Sequence, residues 1–162
     1  MEVLAEVKRD IGGRNYADAL EKVRSLMLHP ELTREQTEEV LHLYAEMLFM
    51  ANQDNIPENF DAITSATIAA MNYNQDSPRN AGAYLRLGYV NLKVENTVEA
   101  EAYFTRLRQQ YPLDENIALT YYYWGEYYYG RNEMQKAADE FQYILSNFSE
   151  NKYARDAALG LA

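Results

Sequence analysis

Apolar residues recur along this chain at intervals of three and four, and the rhythm breaks where prolines stand. Ala100, Phe104 and Leu107 share one helical face, as do Ala137, Phe141 and Ile144. Pro30, Pro57, Pro78 and Pro112 all lie between such segments, where they end or start helices. The pattern predicts helical segments at 2–11, 15–29, 33–52, 57–73, 78–94, 97–110, 116–130, 133–147 and 151–161. Thr33 with Gln36, Asn96 with Glu99 and Asn132 with Gln135 fit the capping box, and Ser77 is placed to cap a helix that has Pro78 in its first turn. No stretch alternates with period two, so the predicted class is all-α.

The segments also repeat. In 81–114, Tyr84, Leu87 and Gly88 are followed by Ala100, Phe104, Leu107 and Pro112; in 118–151 the same scheme reads Tyr121, Trp124, Gly125, Tyr128, Ala137, Phe141 and Ile144. Small residues at Gly88 and Ala100 let two antiparallel helices approach closely, and the aromatic rings fill the space beside them. The spacing resembles the tetratricopeptide repeat of about 34 residues, although Asn91 stands where that family has a large residue and Ser149 replaces the closing proline of the second unit. The resemblance implies an α-solenoid, a right-handed superhelix of antiparallel helix pairs, spanning 1–162 as one domain. Units 81–114 and 118–151 are clear, 1–32 and 33–77 are degenerate, and 152–162 is a half unit. Gly88 and Gly125 are 37 residues apart, so three extra residues are expected after Pro112, extending the incoming helix. The last helix has no following partner and "ALGLA" is not a polar cap, which suggests a piece of a longer repeat protein.

The densest aromatic stretch is "TYYYWGEYYYG", 120–130. At about 100° per residue, Tyr121, Trp124, Gly125 and Tyr128 share the interior face, while Tyr123 and Tyr127 form a second stripe toward a neighbouring helix. Tyr122, Glu126 and Tyr129 remain. The resemblance places this third face on the concave groove, with Leu85, Tyr89 and Leu92 as its counterparts in the preceding unit and Lys93 at the edge. Tyrosine rings and leucines with few charges suit an apolar helix or an extended peptide. Lys, Arg and Asn, which grip a C-terminal carboxylate in some tetratricopeptide domains, are replaced at those positions by Leu85, Tyr89, Tyr122 and Glu126. That mode of tail binding is therefore not expected here.

Charge narrows the partner class. Fifteen Lys and Arg against 25 Asp and Glu give a net −10, which repels phosphate backbones and disfavours nucleic acid. Without cysteine the chain forms no disulfide, thiolate metal site or cysteine nucleophile. "VLHLYAEMLFMA" is too short to span a bilayer and contains Glu46, and the first ten residues are too acidic for a signal peptide. His42 and Glu46 share a helical face and are expected to meet at the surface rather than bind metal, and "DIGGRN" reads as a turn, not a phosphate cradle. No catalytic constellation and no cofactor site emerges. "YFTRLRQQYPLDENI" and "FQYILSNFSENKYARDAALGLA" resemble the wording of the bacterial cell-envelope branch of the repeat family, which includes the Tol–Pal coordinator and an outer-membrane assembly lipoprotein. That implies a non-enzymatic envelope or periplasmic scaffold for a protein or peptide. The alternatives are self-assembly through the C-terminal helix, giving a homo-oligomer, or the docking part of a larger enzyme.

Overall fold

The computed structural model describes residues 2–161, which form nine α-helices and no strand. They are α1 (Glu2–Gly12), α2 (Tyr16–Met27), α3 (Arg34–Ala51), α4 (Ile56–Tyr73), α5 (Asn80–Lys93), α6 (Thr97–Gln110), α7 (Ile117–Gly130), α8 (Met134–Asn147) and α9 (Ala154–Leu161). Each helix packs on the next, and α5 also touches α7. This is the packing of a helical-repeat solenoid.

From α5 onward the repeat is 37 residues long. First helices begin at Asn80, Ile117 and Ala154, and second helices begin at Thr97 and Met134. The extra residues lie in the turn between pairs and do not extend α7, which has the same 14 residues as α5. That turn is built identically three times. Ser77, Asp114 and Asn151 each accept a side-chain hydrogen bond from the backbone N–H two residues on, at 3.2, 2.8 and 3.0 Å. The backbone N–H groups of Asn80, Ile117 and Ala154 then donate to the carbonyls of the same three residues. Local side-chain turns of this kind compete with helix. They explain why α5 and α9 begin at Asn80 and Ala154, later than the sequence pattern suggests, and why Ser77 is not a helix cap.

Within a pair the turn is also shared. Arg14, Glu95 and Asn132 are left-handed, with φ of 60°, 63° and 62°. The next residue closes each turn: Asn15, Asn96 and Glu133 donate to Asp10, Asn91 and Tyr128 at 2.7, 2.8 and 2.9 Å. Asn96 therefore serves the backbone of the turn, and the expected capping boxes at Asn96 and Asn132 are absent. The box at Thr33 and Gln36 forms in both directions. Asn91 closes the turn from below; its Nδ2 donates to Leu87 O at 2.7 Å, and its Oδ1 accepts from Asn96.

Rings packed on glycines set the distance between helices. Phe104 and Phe141 are fully buried, and a Cβ placed on Gly88 or Gly125 would fall 2.8 Å from the Cζ of the facing ring. Gly160 approaches the other face of Phe141, where a Cβ would lie 2.6 Å from Cε2. No real contact is that short, so Gly is required by close approach rather than by backbone angle.

Gly88→Ala should therefore lower stability by about 1–3 kcal/mol through overpacking. Gly82→Ala, on the same helix but with open space at its Cβ position, should raise stability by about 0.5–1 kcal/mol through helix propensity. Urea unfolding of both variants checks the pair of opposite signs, and adding Phe104→Leu to Gly88→Ala should recover part of the loss.

Candidate groove on the first-helix face

The first helices α3, α5 and α7 line up their exposed sides, and a groove runs across them. Its larger section, about 490 Å³, lies between α3 and α5 and is lined at one end by the turns carrying Pro78 and Asn116. A smaller section of about 190 Å³ continues between α5 and α7. Tyr89 and Tyr123 line both sections. Phe49, Tyr89 and Tyr123 form the wall: the Phe49 and Tyr89 rings meet edge to face at 5.5 Å, and Tyr89 and Tyr123 lie 4.5 Å apart. Lys93 Nζ sits 5.2 Å from the Tyr89 ring, within cation–π range.

Five of the sequence-predicted residues come together in the smaller section: Tyr89, Leu92, Lys93, Tyr122 and Glu126. Leu85 lines the larger section. Tyr129 lines neither and is 57% exposed. Two of the grouped residues have structural duties as well. Leu92 is buried with Ala100, Phe104 and Trp124, and Tyr122 packs on Phe141 with its ring 5.7 Å away. Burial, with Glu126 next to it, raises the Tyr122 hydroxyl above the ordinary phenol range.

The interior stripe of the aromatic stretch behaves as its spacing predicts. Trp124 and Gly125 are buried, and Tyr128 stacks on Trp124 at 5.4 Å. Tyr121 packs on Phe148 and Tyr143 and lies under the Arg108 guanidinium. Tyr127 packs edge-on against Trp124. Tyr123 faces Phe104 and Tyr89 as expected of a residue turned toward a neighbouring helix, and burial holds its hydroxyl well above the usual phenol range. It is nonetheless a groove residue too, lining both sections.

The α3 side of the groove went unread in the sequence. His42 is not at the surface: it is 7% exposed, its Nε2 is buried with no hydrogen-bond partner, and the expected surface contact with exposed Glu46 is replaced by a place in the groove wall. Burial, then the nearby positive charge of Arg86, pushes the His42 pKa down to about 4, so the imidazole is neutral at physiological pH. Arg86, 9% exposed, is on the opposite wall, and burial lowers its pKa to about 10, leaving it cationic. Glu38, one helical turn before His42, clamps the floor. It accepts from Ser77 Oγ, from Asn74 Nδ2 at 2.9 Å and from Arg79 Nη1 at 3.0 Å, which ties α3 to the α4–α5 turn. The Ser77 and Asn74 bonds, helped by Arg79, hold its pKa at about 2. Tyr111 reaches the same turn from the end of α6, donating to Ser77 O at 2.9 Å.

A second depression of about 1060 Å³ lies between α6, α7 and α8. Its polar groups mostly satisfy one another. Glu101 accepts from Arg108 Nη1 at 2.8 Å and from Trp124 Nε1 at 2.7 Å, and Arg108 also donates twice to Thr120 Oγ1. Among the described residues, no helix is long and apolar enough to cross a membrane, and no group of three or more metal-ligating side chains forms.

Comparison of the chain with family models finds no match, nor does comparison with curated proteins or with solved structures.

The groove wall makes stability depend on pH in two steps. The unfolded His42 takes up a proton near its ordinary value of 6.5 while the folded one resists until about 4, so stability falls as pH drops through that window. Glu38 favours the fold above its ordinary 4.5, and that contribution disappears as pH falls toward 2. Urea midpoints followed from neutral to acid pH should show both slopes. His42→Leu should flatten the upper one, and Glu38→Gln the lower one.

Proposed function

We propose that this chain is a non-enzymatic scaffold of the tetratricopeptide type, which binds a peptide or helical segment of another protein along the concave groove of α3, α5 and α7. The carrying observation is the continuous Phe49–Tyr89–Tyr123 wall, which places one phenylalanine and two tyrosine rings from three successive first helices along one channel. Aromatic walls of this kind give contact area at low entropic cost, with hydroxyls to fix the register of a bound chain. The glycine-and-ring packing of Gly88 with Phe104 and Gly125 with Phe141 supports the repeat type. A place in the bacterial cell envelope rests on the wording of residues 80–162 alone.

Exposed leucines favour a second reading, assembly between copies. On α9, Leu159 is 66% and Leu161 36% exposed. Under that reading, removing 151–162 changes the mass measured by light scattering and leaves peptide binding alone.

Gly82 opens onto the groove with nothing near its Cβ position, so Gly82→Trp should plug the channel without disturbing the core. In capture from a bacterial envelope fraction, the plugged protein should retain its partners about tenfold less well or worse. Tyr129→Ala, outside the groove, should match the unaltered protein. Equal recovery on the plugged protein, with its helical content intact by circular dichroism, overturns the groove reading.

A further inference from the structure

The 37-residue frame, carried back one unit from α6, puts Thr67 where later units have Phe104 and Phe141. Ile63 and Ala70 likewise precede Ala100 and Leu107. A threonine leaves empty the space a ring fills elsewhere, and a first-helix residue occupies it. That residue is Arg86, the counterpart of Tyr123 and Gly160, which touch Phe104 and Phe141 in their own units. Arg86 Nη1 donates to Thr67 Oγ1 at 3.3 Å, and Thr67 donates onward to Ile63 O at 2.7 Å.

Among the described residues this long bond is the only one Arg86 makes, and no carboxylate pairs with it. A guanidinium carries five donors and stays charged, so a nearly buried one with a single weak bond is poorly satisfied. Its neighbours are already engaged. Arg79 is paired with Glu38, Glu39 with Lys8, and Asp114 accepts from the Asn116 backbone. Glu46 is the exception: it lines the same cavity and its charge acts on Arg86, but it is exposed and makes no ion pair among the described residues. His42, on the facing wall, adds a second unsatisfied group in its buried Nε2. A nearly buried guanidinium with one long hydrogen bond, lining a cavity, marks the position of an absent hydrogen-bonding group.

We propose that the cavity between α3 and α5 receives a carboxylate, the side chain of an Asp or Glu within a peptide that lies along the groove, and that Arg86 is its counter-ion. The inference rests on the groove reading above and names the chemistry it selects. A guanidinium pairs with a carboxylate through two parallel hydrogen bonds, and partial burial protects the pair from salt. An internal side chain is favoured over a chain terminus because the channel continues on both sides of Arg86. Pro78 and Arg79 line it one way, and Tyr89 and Tyr123 lead the other way into the smaller section. Leu85, Met50 and Phe49 offer apolar contact to the residues flanking the acid. The net charge of −10 opposes acidic partners in general, so recognition of negative charge is confined to this point.

Three short probes test it on the 15N-labelled protein: N-acetyl-Phe-Glu-Phe-amide, the same capped peptide with Gln, and N-acetyl-Phe-Gln-Phe with a free C-terminus. The capped Glu peptide should shift the Arg86 Nε–Hε resonance and bind about tenfold or more tighter than its Gln analogue. Arg86→Gln should erase that preference. Glu46→Gln, a change at an exposed position, should strengthen binding of the Glu peptide by removing the competing carboxylate. If both capped peptides bind alike and move the Tyr89 and Tyr123 signals, the carboxylate site is overturned while the groove stands. A stronger Arg86 response to the free C-terminus overturns the choice of an internal side chain. No Arg86 response to any probe overturns the site itself. An Arg86 response without movement at Tyr89 and Tyr123 upholds the carboxylate pairing and removes the groove.

Discussion

The spacing of the two helices within a pair is set by an aromatic ring pressed on a residue with no side chain. Phe104 lies on Gly88, and Phe141 lies between Gly125 and Gly160. Each ring is fully buried, and a buried Phe removes a large apolar area from water. With that approach fixed, Ala100 and Ala137 can sit in the same interface, Trp124 can close over Phe104 edge-on, and the exposed sides of α5 and α7 come into line. The groove thus follows from the core.

The earlier unit solves the same packing problem differently. Thr67 cannot act as a ring, and Arg86 enters in its place. The polar clamp of Glu38, Ser77, Asn74 and Arg79 then holds α3 to the turn before α5. Replacing a hydrophobic contact with hydrogen-bonded polar groups gains orientation more than stability, because each group gives up water on burial. The aromatic packing and the polar packing meet at Tyr89, between Phe49 and Tyr123.

Much of the architecture is written in local pattern. Proline positions and three-four periodicity locate the nine helices among the described residues, and Thr33 with Gln36 gives a true cap. Boundaries fail where side chains fold back on the backbone, as at Ser77 and Asn151. The 37-residue period is present in the Gly88–Gly125 and Phe104–Phe141 intervals, yet the pattern points to a longer α7, because a turn built from Asp114 has no periodicity to announce it. On the groove, helical angle together with the repeat resemblance groups Tyr89, Leu92, Lys93, Tyr122 and Glu126, which line one section. It could not reveal that Tyr122 is half committed to Phe141, nor that Tyr123 serves core and groove at once. His42 and Arg86 were illegible for a further reason. A histidine near a glutamate and an arginine on a helix both read as solvent-facing, and only the small size of Thr67, more than a dozen residues from Arg86, makes room to bury the guanidinium.

Every helix here leans chiefly on its immediate neighbours in the chain. Such an object has no single keystone, and its cohesion is distributed as a row of joints, each closable once two adjacent rods are formed. Order can then spread from any hairpin toward either end, and loosening of a terminal rod need not travel inward past the next ring-filled joint. The middle of the row, where α5 meets α4, α6 and α7, is held from the most directions and should be the last part to let go.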